Sequence, residues 1–218
     1  MPRQGDKETR RQGDKEKGDL ADTPGDRAGD TRPGLPVSLS PCLLVSLSPL
    51  FLIGPRGSGK TTVARLLAER LGWEWLDADD VLEARRGKSI RAIFAEEGED
   101  GFRDKESAVL AELCGRRACV VSTGGGVVVR EANRALLRAS GRVVWLTADV
   151  ETLWRRLQED DRTGDRRPAL TVGGRPEVEE VLRVREPWYR ECAHRTVRTE
   201  GRPPGAVADE IAAALDSI

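Results

Sequence analysis

An octapeptide that begins at residue 54 constrains the possible folds of this chain more than any other feature. Residues 54–61 read Gly-Pro-Arg-Gly-Ser-Gly-Lys-Thr and match the phosphate-loop pattern G-x-x-x-x-G-K-[ST] at every fixed position. The apolar run Leu50–Ile53 before it predicts a short buried strand, and the apolar spacing of Thr62–Leu71 after it predicts a helix. Strand, glycine-rich turn and helix together predict a binding site for nucleotide phosphates.

The residue types in this loop suit that chemistry. Its glycines let backbone N–H groups curl around a phosphate, and the following helix points its dipole and free N–H groups at the anion. We expect Lys60 to reach the terminal phosphates and Thr61 to ligate Mg²⁺. The alternative is a glycine-rich turn that binds nothing, which the flanking strand and helix disfavour.

Composition excludes several classes of function. The chain has 218 residues, enough for one ordinary domain and a further segment, and its net charge of -1 does not indicate a nucleic-acid partner. Cys42, Cys114, Cys119 and Cys192 have neither metal nor redox spacing, so we expect reduced, structural cysteines and a cytoplasmic location. A multi-histidine metal site is excluded because His194 is the only histidine, and we expect a surface or packing role for it.

The first 48 residues form a separate segment. Arg3–Glu8 recurs as Arg11–Glu16, and Val37–Pro41 recurs as Val45–Pro49, both with a period of eight residues. The charged first stretch has too few apolar residues to bury a core, so we expect disorder. With a suitable choice of codons, the DNA that encodes the first repeat has a reverse complement that encodes the second. Both repeats could therefore come from one DNA repeat read on opposite strands. We therefore interpret residues 1–48 as a translated inverted repeat, with Leu47 as a candidate start and Met1 too early.

A targeting or membrane segment is the rival interpretation of this region. Residues 35–54 carry no charge and are long enough to span a bilayer. Their prolines and serines make a poor spanning helix, however, and the run ends inside the phosphate loop. We therefore expect no membrane partner.

From about residue 49 onward, predicted strands alternate with predicted helices. Further strands are predicted at Trp73–Leu76, Ala118–Ser122, Arg142–Thr147 and Thr196–Arg198. Helices are predicted at Val81–Arg86, 88–113 with interruptions at Gly98 and Gly101, Glu131–Ala139, Val150–Gln158, Glu177–Cys192 and Ala206–Leu215. This order predicts an α/β three-layer sandwich, in which a parallel five-stranded sheet carries helices on both faces and binds ligands at the strands' carboxyl ends.

Two groups of residues at predicted strand ends could act on a second substrate. Asp77 and Asp79 could divide the work, one near Mg²⁺ and one at an acceptor hydroxyl. Helix capping is the alternative use of an aspartate here, and we expect it of Asp80 because that residue directly precedes the helical pattern. The triple glycine 124–126 suggests a backbone that approaches a ligand, although a tight turn without a ligand is the alternative.

Arginines outside the phosphate loop are less specific signals. Arg103 and Arg185 lie far apart in the sequence, and either alone would be an ordinary surface residue. The polar stretch 159–174 predicts a mobile loop, in which we expect only one of Arg162, Arg166 and Arg167 to cover the γ-phosphate.

Several motifs, in order along residues 50–216, carry a family resemblance. They are Gly54-Pro-Arg-Gly-Ser-Gly-Lys-Thr61, Leu76-Asp-Ala-Asp79, Gly87-Lys-Ser-Ile-Arg-Ala-Ile-Phe-Ala-Glu-Glu-Gly98, Gly101-Phe-Arg-Asp-Lys-Glu106, Gly124-Gly-Gly126, Arg167-Pro-Ala-Leu170 and Arg185-Glu-Pro-Trp-Tyr189. In these motifs the chain resembles shikimate kinase, one of the nucleoside-monophosphate-kinase-like phosphate-loop enzymes. The phosphate loop is shared by many families, whereas the combination with Asp-x-Asp, Phe-Arg-x-x-Glu and Arg-x-Pro-x-Tyr is specific to this one.

The resemblance implies that ATP phosphorylates the 3-hydroxyl of shikimate in a monomeric, Mg²⁺-dependent enzyme. It also implies a substrate-binding helical segment at about 80–113 and a mobile lid at about 159–174. The implied catalytic residues are Lys60, Asp79 and Arg167, and the implied metal ligands are Thr61 and, through water, Asp77. The implied ATP-binding residues are Gly54, Pro55, Arg56, Gly57, Ser58, Gly59, Lys60, Thr61, Thr62, Arg156, Arg167 and Pro204. Shikimate would contact Asp79, Arg103, Gly125, Gly126 and Arg185, with Glu106 orienting the arginine.

Two alternatives remain at the level of sequence. A related small-molecule kinase such as a gluconate kinase would be favoured if the two-arginine clamp and the Asp-x-Asp pair were missing, but both are present. A non-catalytic nucleotide-binding module would be expected to lack a catalytic residue. The predicted lid is longer and more charged than the resemblance implies, so the choice between Arg166 and Arg167 stays open, with Arg167 favoured because Pro168 follows it.

Overall fold

Five short strands form one fully parallel sheet in the computed structural model, which describes residues 47–159 and 174–215. The strands are β1 (Leu50–Ile53), β2 (Glu74–Asp77), β3 (Cys119–Ser122), β4 (Arg142–Thr147) and β5 (Arg195–Arg198). Their order across the sheet is β2-β3-β1-β4-β5. The predictions for the N-terminal segment, for the lid and for Cys42 fall outside the described residues.

Helices connect successive strands. They are α1 (Lys60–Leu71), α2 (Ala78–Arg86), α3 (Ile90–Cys114), α4 (Glu131–Ser140), α5 (Val150–Glu159), α6 (Gly174–Cys192) and α7 (Pro204–Ala213), with a short 3-10 helix at Val127–Val129. None of the helices that the structure describes combines the length and apolar character of a bilayer-spanning segment.

The three central strands, β1, β3 and β4, are buried on both faces of the sheet, which explains their apolar sequences. Within β1, Phe51 and Ile53 face a core layer formed with α2, α3, α4 and α6, whereas Leu50 and Leu52 face a layer formed with α1 and α7. Successive side chains of a strand point to opposite faces, so both sets must be apolar. The predicted α/β sandwich with a five-stranded parallel sheet is therefore confirmed.

Two predictions about helix boundaries are wrong for local reasons. Helix α2 begins at Ala78, three residues before the predicted Val81, because the Asp77 carboxylate caps it by accepting a hydrogen bond from the Asp79 N–H. Asp80 is thus an exposed residue of the first turn and not the cap. Helix α3 is broken at Gly98, with φ 70° and ψ -170°, but it continues through Gly101.

The lone histidine and the described cysteines are structural, as expected. His194 Nδ1 accepts a hydrogen bond from the Val143 N–H at 3.0 Å, and burial lowers the pKa of His194. Cys114, Cys119 and Cys192 are free thiols. Burial raises the pKa of Cys119 and of Cys192 to about 11, so neither is a reactive thiolate near neutral pH.

The start of the sheet depends on a close backbone approach at Gly141. A Cβ at this position would lie 2.2 Å from the Pro49 carbonyl oxygen, which also accepts the hydrogen bond from Arg142 N that begins β4. We expect Gly141→Ala to lower the free energy of unfolding by about 1–3 kcal/mol, as overpacking typically does. Urea unfolding measures this effect.

Gly115→Ala is the matched control. A Cβ at Gly115 would meet its nearest neighbour at 3.4 Å in right-handed helical backbone, so this variant should be as stable as the wild type or slightly more so. Equal stability of the two variants would contradict the proposed clash.

Candidate active site

The phosphate loop is held in place by contacts with β4 and α5. Gly54, Gly57 and Gly59 all have positive φ. A Cβ on Gly54 would lie 2.2 Å from the Leu146 carbonyl oxygen, and a Cβ on Gly57 would lie 2.9 Å from that of Leu153. The loop therefore requires glycine for packing as well as for conformation. No side chain caps α1 at Gly59, which leaves the helix N-terminus directed at the loop.

Lys60 lies across this loop. Its Nζ donates to the carbonyl oxygens of Gly54 at 2.9 Å and Pro55 at 2.8 Å, and the side chain is buried. Both acceptors are neutral, and a hydrogen bond from an ammonium group to an anionic oxygen is stronger. The ammonium group is therefore positioned to bind a phosphate placed in the loop.

Oxygen groups converge beside Lys60 where β2 and β3 end. Thr61 Oγ1 donates to Asp77 Oδ2 at 3.0 Å and lies 3.2 Å from Ser122 Oγ. Asp77 and Ser122 are paired in register across the sheet. Burial raises the pKa of Asp77, and the nearby Asp79 carboxylate raises it further, while the Thr61 hydrogen bond opposes both effects.

This arrangement fits Mg²⁺ better than a metal that needs a full protein cage. Among the described residues, no group of three or more His, Cys, Asp or Glu side chains could hold a metal ion. Mg²⁺ usually keeps several waters and uses one or two protein oxygens together with substrate phosphates. The hydroxyl of Thr61 and the carboxylate of Asp77 supply oxygen donors of that kind.

Arg103 is a buried cation on α3. Its side chain is 6% exposed, and its Nη1 donates to Glu106 Oε2 at 2.7 Å, a carboxylate that is also 6% exposed. Its Nε and Nη2 donate to Glu99 Oε1 at 3.3 Å and 3.1 Å. A Cβ on Gly126 would lie 2.3 Å from Arg103 Nη1, so only glycine at 126 leaves room for the guanidinium.

The triple-glycine turn brings the two arginines and the phosphate loop together. Arg185 Nη1 on α6 donates to the Gly125 carbonyl oxygen at 3.3 Å, and the Tyr189 hydroxyl donates to the same oxygen. On its other side, a Cβ at Gly125 would lie 3.4 Å from Arg56 N and from Gly54 O. Arg103 and Arg185, which are isolated in the sequence, therefore meet at adjacent glycines.

A cleft of about 280 Å³ lies on the other side of the phosphate loop. Arg156 spans it, since its Nη1 donates to the Gly57 carbonyl oxygen at 3.1 Å and its Nη2 donates to the Thr199 carbonyl oxygen at 2.9 Å. The predicted residues Ser58, Gly59, Thr62, Arg156 and Pro204 all line this cleft, together with Val63, Thr199, Arg202 and Val207. Its position beside the loop suits the base and ribose of a nucleotide.

Three residues of the site have contacts that the sequence analysis does not predict. Ser122, Glu99 and Tyr189 contact Thr61, Arg103 and the Gly125 carbonyl, respectively, and none of them is assigned a role from sequence. Ser122 could have been found as a hydroxyl at a strand's carboxyl end. The predicted Arg162, Arg166 and Arg167 fall outside the described residues.

A family model described as shikimate kinase matches residues 56–216. This chain belongs to the shikimate kinase family. A shikimate kinase of Pseudomonas syringae is 46% identical over 168 residues, which cover 77% of this chain and 95% of the relative. A shikimate kinase of Rhodopirellula baltica is 45% identical over 167 residues, covering 76% and 89% of the two chains.

The fold agrees with solved structures of this family. The structure of shikimate kinase from Acinetobacter baumannii in complex with shikimate is 40% identical, with a TM-score of 0.75. The match covers 81% of this chain and 97% of that one. The resemblance inferred from sequence is therefore confirmed.

The Asp77 carboxyl group should make the folding stability of this shikimate kinase family member depend on pH. Its pKa in the folded protein lies above the unfolded value of 3.8, so ionisation costs folding free energy, and this cost appears as the pH rises through the folded-state pKa. Asparagine can still cap α2 but carries no charge. We expect Asp77→Asn to unfold at a higher temperature than the wild type at pH 7, with the difference shrinking towards pH 3.8.

Thermal unfolding of the nucleotide-free protein between pH 4 and 8 measures this effect. The exposed variant Asp100→Asn is the control and should follow the wild type throughout. An Asp77→Asn variant that melts below the wild type at pH 7 would show that the Asp77 charge stabilises the fold.

Proposed function

We propose that this chain is a shikimate kinase, which transfers the γ-phosphoryl group of ATP to the 3-hydroxyl of shikimate. The products are ADP and shikimate 3-phosphate, on the route to chorismate and aromatic amino acids. The observation that carries this proposal is the meeting of Arg103 and Arg185 at one glycine turn, directly beside a phosphate loop. Two guanidinium groups beside one turn favour the binding of an acceptor that carries a carboxylate.

The acceptor would be held by its carboxylate. Arg103 and Arg185 present planar forks of N–H donors, and Glu106 fixes the first of these through its 2.7 Å hydrogen bond. Gly125 and Gly126 would offer backbone N–H groups to the acceptor. Because the turn also contacts the phosphate loop, an acceptor bound here would lie close to the γ-phosphate of ATP.

Asp79 is the proposed general base. It lies in the first turn of α2, beside Asp77 and at the carboxyl edge of the sheet. From there its carboxylate would align the 3-hydroxyl of shikimate and accept its proton as the oxygen attacks phosphorus. The two aspartates would thus have separate tasks, because Asp77 is already engaged with Thr61 and the α2 cap.

The remaining proposed roles concern ATP. Lys60 would bind the β- and γ-phosphates, and the backbone N–H groups of the phosphate loop, which Pro55 lacks, would surround them. Arg156 and Pro204 would contact the adenine in the cleft that they line. Arg167 is the proposed third catalytic group, with a guanidinium that balances charge on the transferred phosphoryl group.

Thr61 and, through water, Asp77 would hold Mg²⁺. An ion held by these residues would neutralise part of the charge on the nucleotide phosphates. Thr61 Oγ1 and Asp77 Oδ2 are already hydrogen-bonded at 3.0 Å, so the two proposed oxygen donors are neighbours.

We also propose an oligomeric state, a set of partners and a location for the enzyme. All assigned residues come from one chain, so a monomer suffices. The net charge of -1 gives no support for a nucleic-acid partner. The free thiols at all three described cysteines support a reducing compartment, and we propose the cytoplasm.

The first experiment is a coupled ADP-release assay on the full chain with ATP and Mg²⁺, comparing shikimate, gluconate and no acceptor. Turnover that requires shikimate is expected. Turnover with gluconate alone would favour a related kinase, and ATP-dependent thermal stabilisation without turnover would favour a non-catalytic nucleotide-binding module.

Lys60→Ala should lower kcat by about 10²-fold or more, because a preorganised cation at the transferred phosphoryl group is removed. Steady-state kinetics with saturating shikimate measures this loss. Lys88→Ala removes an exposed lysine that pairs with Glu96 and should keep wild-type activity. Equal activity of both variants would refute the role of Lys60.

Arg103→Lys should raise the KM for shikimate by about 10-fold or more while leaving the KM for ATP unchanged. Lysine keeps the charge beside Glu106 but cannot form two parallel hydrogen bonds to a carboxylate. Arg130→Lys, at a partly exposed ion pair with Asp104, is the control. An unchanged KM for shikimate in Arg103→Lys would show that the carboxylate binds elsewhere.

A further inference from the structure

The Arg103 guanidinium has one edge that a ligand carboxylate could take. An arginine presents five N–H donors and accepts a carboxylate in parallel fashion either at its Nη1–Nη2 end or along its Nε–Nη2 edge. Nη1 already donates to the buried Glu106. The Nη1–Nη2 end lies against the Gly126 backbone, since a Cβ there would be 2.3 Å from Nη1 and 2.6 Å from Nη2. This leaves the Nε–Nη2 edge.

Glu99 lies on that edge. Its Oε1 accepts from Nε at 3.3 Å and from Nη2 at 3.1 Å. One oxygen serves both donors, whereas a carboxylate that approached squarely would use two oxygens in two parallel bonds. The contact is therefore weaker than the bidentate pair that the same edge can form.

The surroundings make Glu99 easy to displace and Glu106 hard to displace. The Glu99 side chain is 64% exposed, against 6% for Glu106, so Glu99 can regain water at little cost. Glu99 also directly follows the break at Gly98, which places it in the first turn of the second helical stretch of α3. A carboxylate released there remains favourably placed at a helix N-terminus.

Charge prevents both carboxylates from using this edge together. Arg103 with Glu106 is a neutral pair, and Glu99 already adds one negative charge. A second carboxylate at the same edge would lie within a few ångströms of Glu99, where like charges repel.

We propose that Glu99 is an internal carboxylate that occupies the acceptor-binding edge of Arg103, and so competes with the acceptor until the acceptor's own carboxylate replaces it. The inference rests on the proposed function. Glu99 lowers the affinity for the true acceptor by a small factor. An uncharged molecule does not exchange with Glu99, so loss of the Glu99 charge should change the binding only of an acceptor that carries a carboxylate.

The test measures kcat and KM for shikimate and for its uncharged methyl ester, with ATP saturating, in the wild type and in Glu99→Gln. Glutamine has the same shape without the charge. We expect the KM for shikimate to fall about 2- to 5-fold, as for loss of a mostly exposed ion pair, with kcat within about 2-fold. The KM for the methyl ester should be unchanged. Asp100→Asn, a neighbouring exposed carboxylate, should leave every parameter at the wild-type value.

Each other result overturns the inference. A higher or unchanged KM for shikimate in Glu99→Gln would mean that Glu99 orients Arg103 or does nothing. An equal fall for the methyl ester, or the same fall in Asp100→Asn, would mean a general effect of charge. If the wild type fails to turn over shikimate in the same titration, the proposed function fails and this inference fails with it. Turnover by the wild type without the predicted change in Glu99→Gln rejects the inference alone.

Discussion

The site depends on how closely the backbone of Gly125 and Gly126 can be approached. Gly126 lies against the buried guanidinium of Arg103, and Gly125 lies against the backbone of the phosphate loop while its carbonyl accepts from Arg185 and Tyr189. A side chain at Gly126 would displace the Arg103 guanidinium, and the two arginines would no longer meet beside the phosphate loop. The proposed acceptor site and the phosphate loop therefore lie on two sides of the same pair of glycines.

Short sequence patterns predict the strands and helices of this fold better than they predict the contacts between those elements. Strands β1 and β4 have their predicted bounds because each is a continuous apolar run at the centre of a parallel sheet. The sequence pattern predicts Asp80 as the cap of α2, because pattern alone does not show that the Asp77 carboxylate turns back to the Asp79 N–H. The roles of Arg103 and Arg185 came only from the family resemblance, because their contact with one turn depends on where α3 and α6 pack.

The charged groups of the site that are buried or partly buried have hydrogen-bond partners from the same chain. Lys60 donates to two loop carbonyls, Arg103 donates to two carboxylates, and Asp77 accepts from Thr61 and the α2 backbone. A buried charge without a partner would cost several kcal/mol, so these contacts keep the fold stable. They also differ in strength, and the difference determines which ones a ligand can exchange.

The packing of Tyr189 determines where the Gly125 carbonyl and the Arg185 guanidinium lie. It is fully buried, stacks on Trp145 of β4 with ring centroids 5.8 Å apart, and donates its hydroxyl to Gly125. The aromatic contact anchors α6 to the sheet, and the hydroxyl fixes the direction of the Gly125 carbonyl. Because Arg185 lies one turn earlier on α6 and donates to the same oxygen, the position of its guanidinium follows from the packing of Tyr189. Arg103, by contrast, is placed by Glu106 and Gly126, so the two arginines of the proposed carboxylate clamp are held by independent parts of the core.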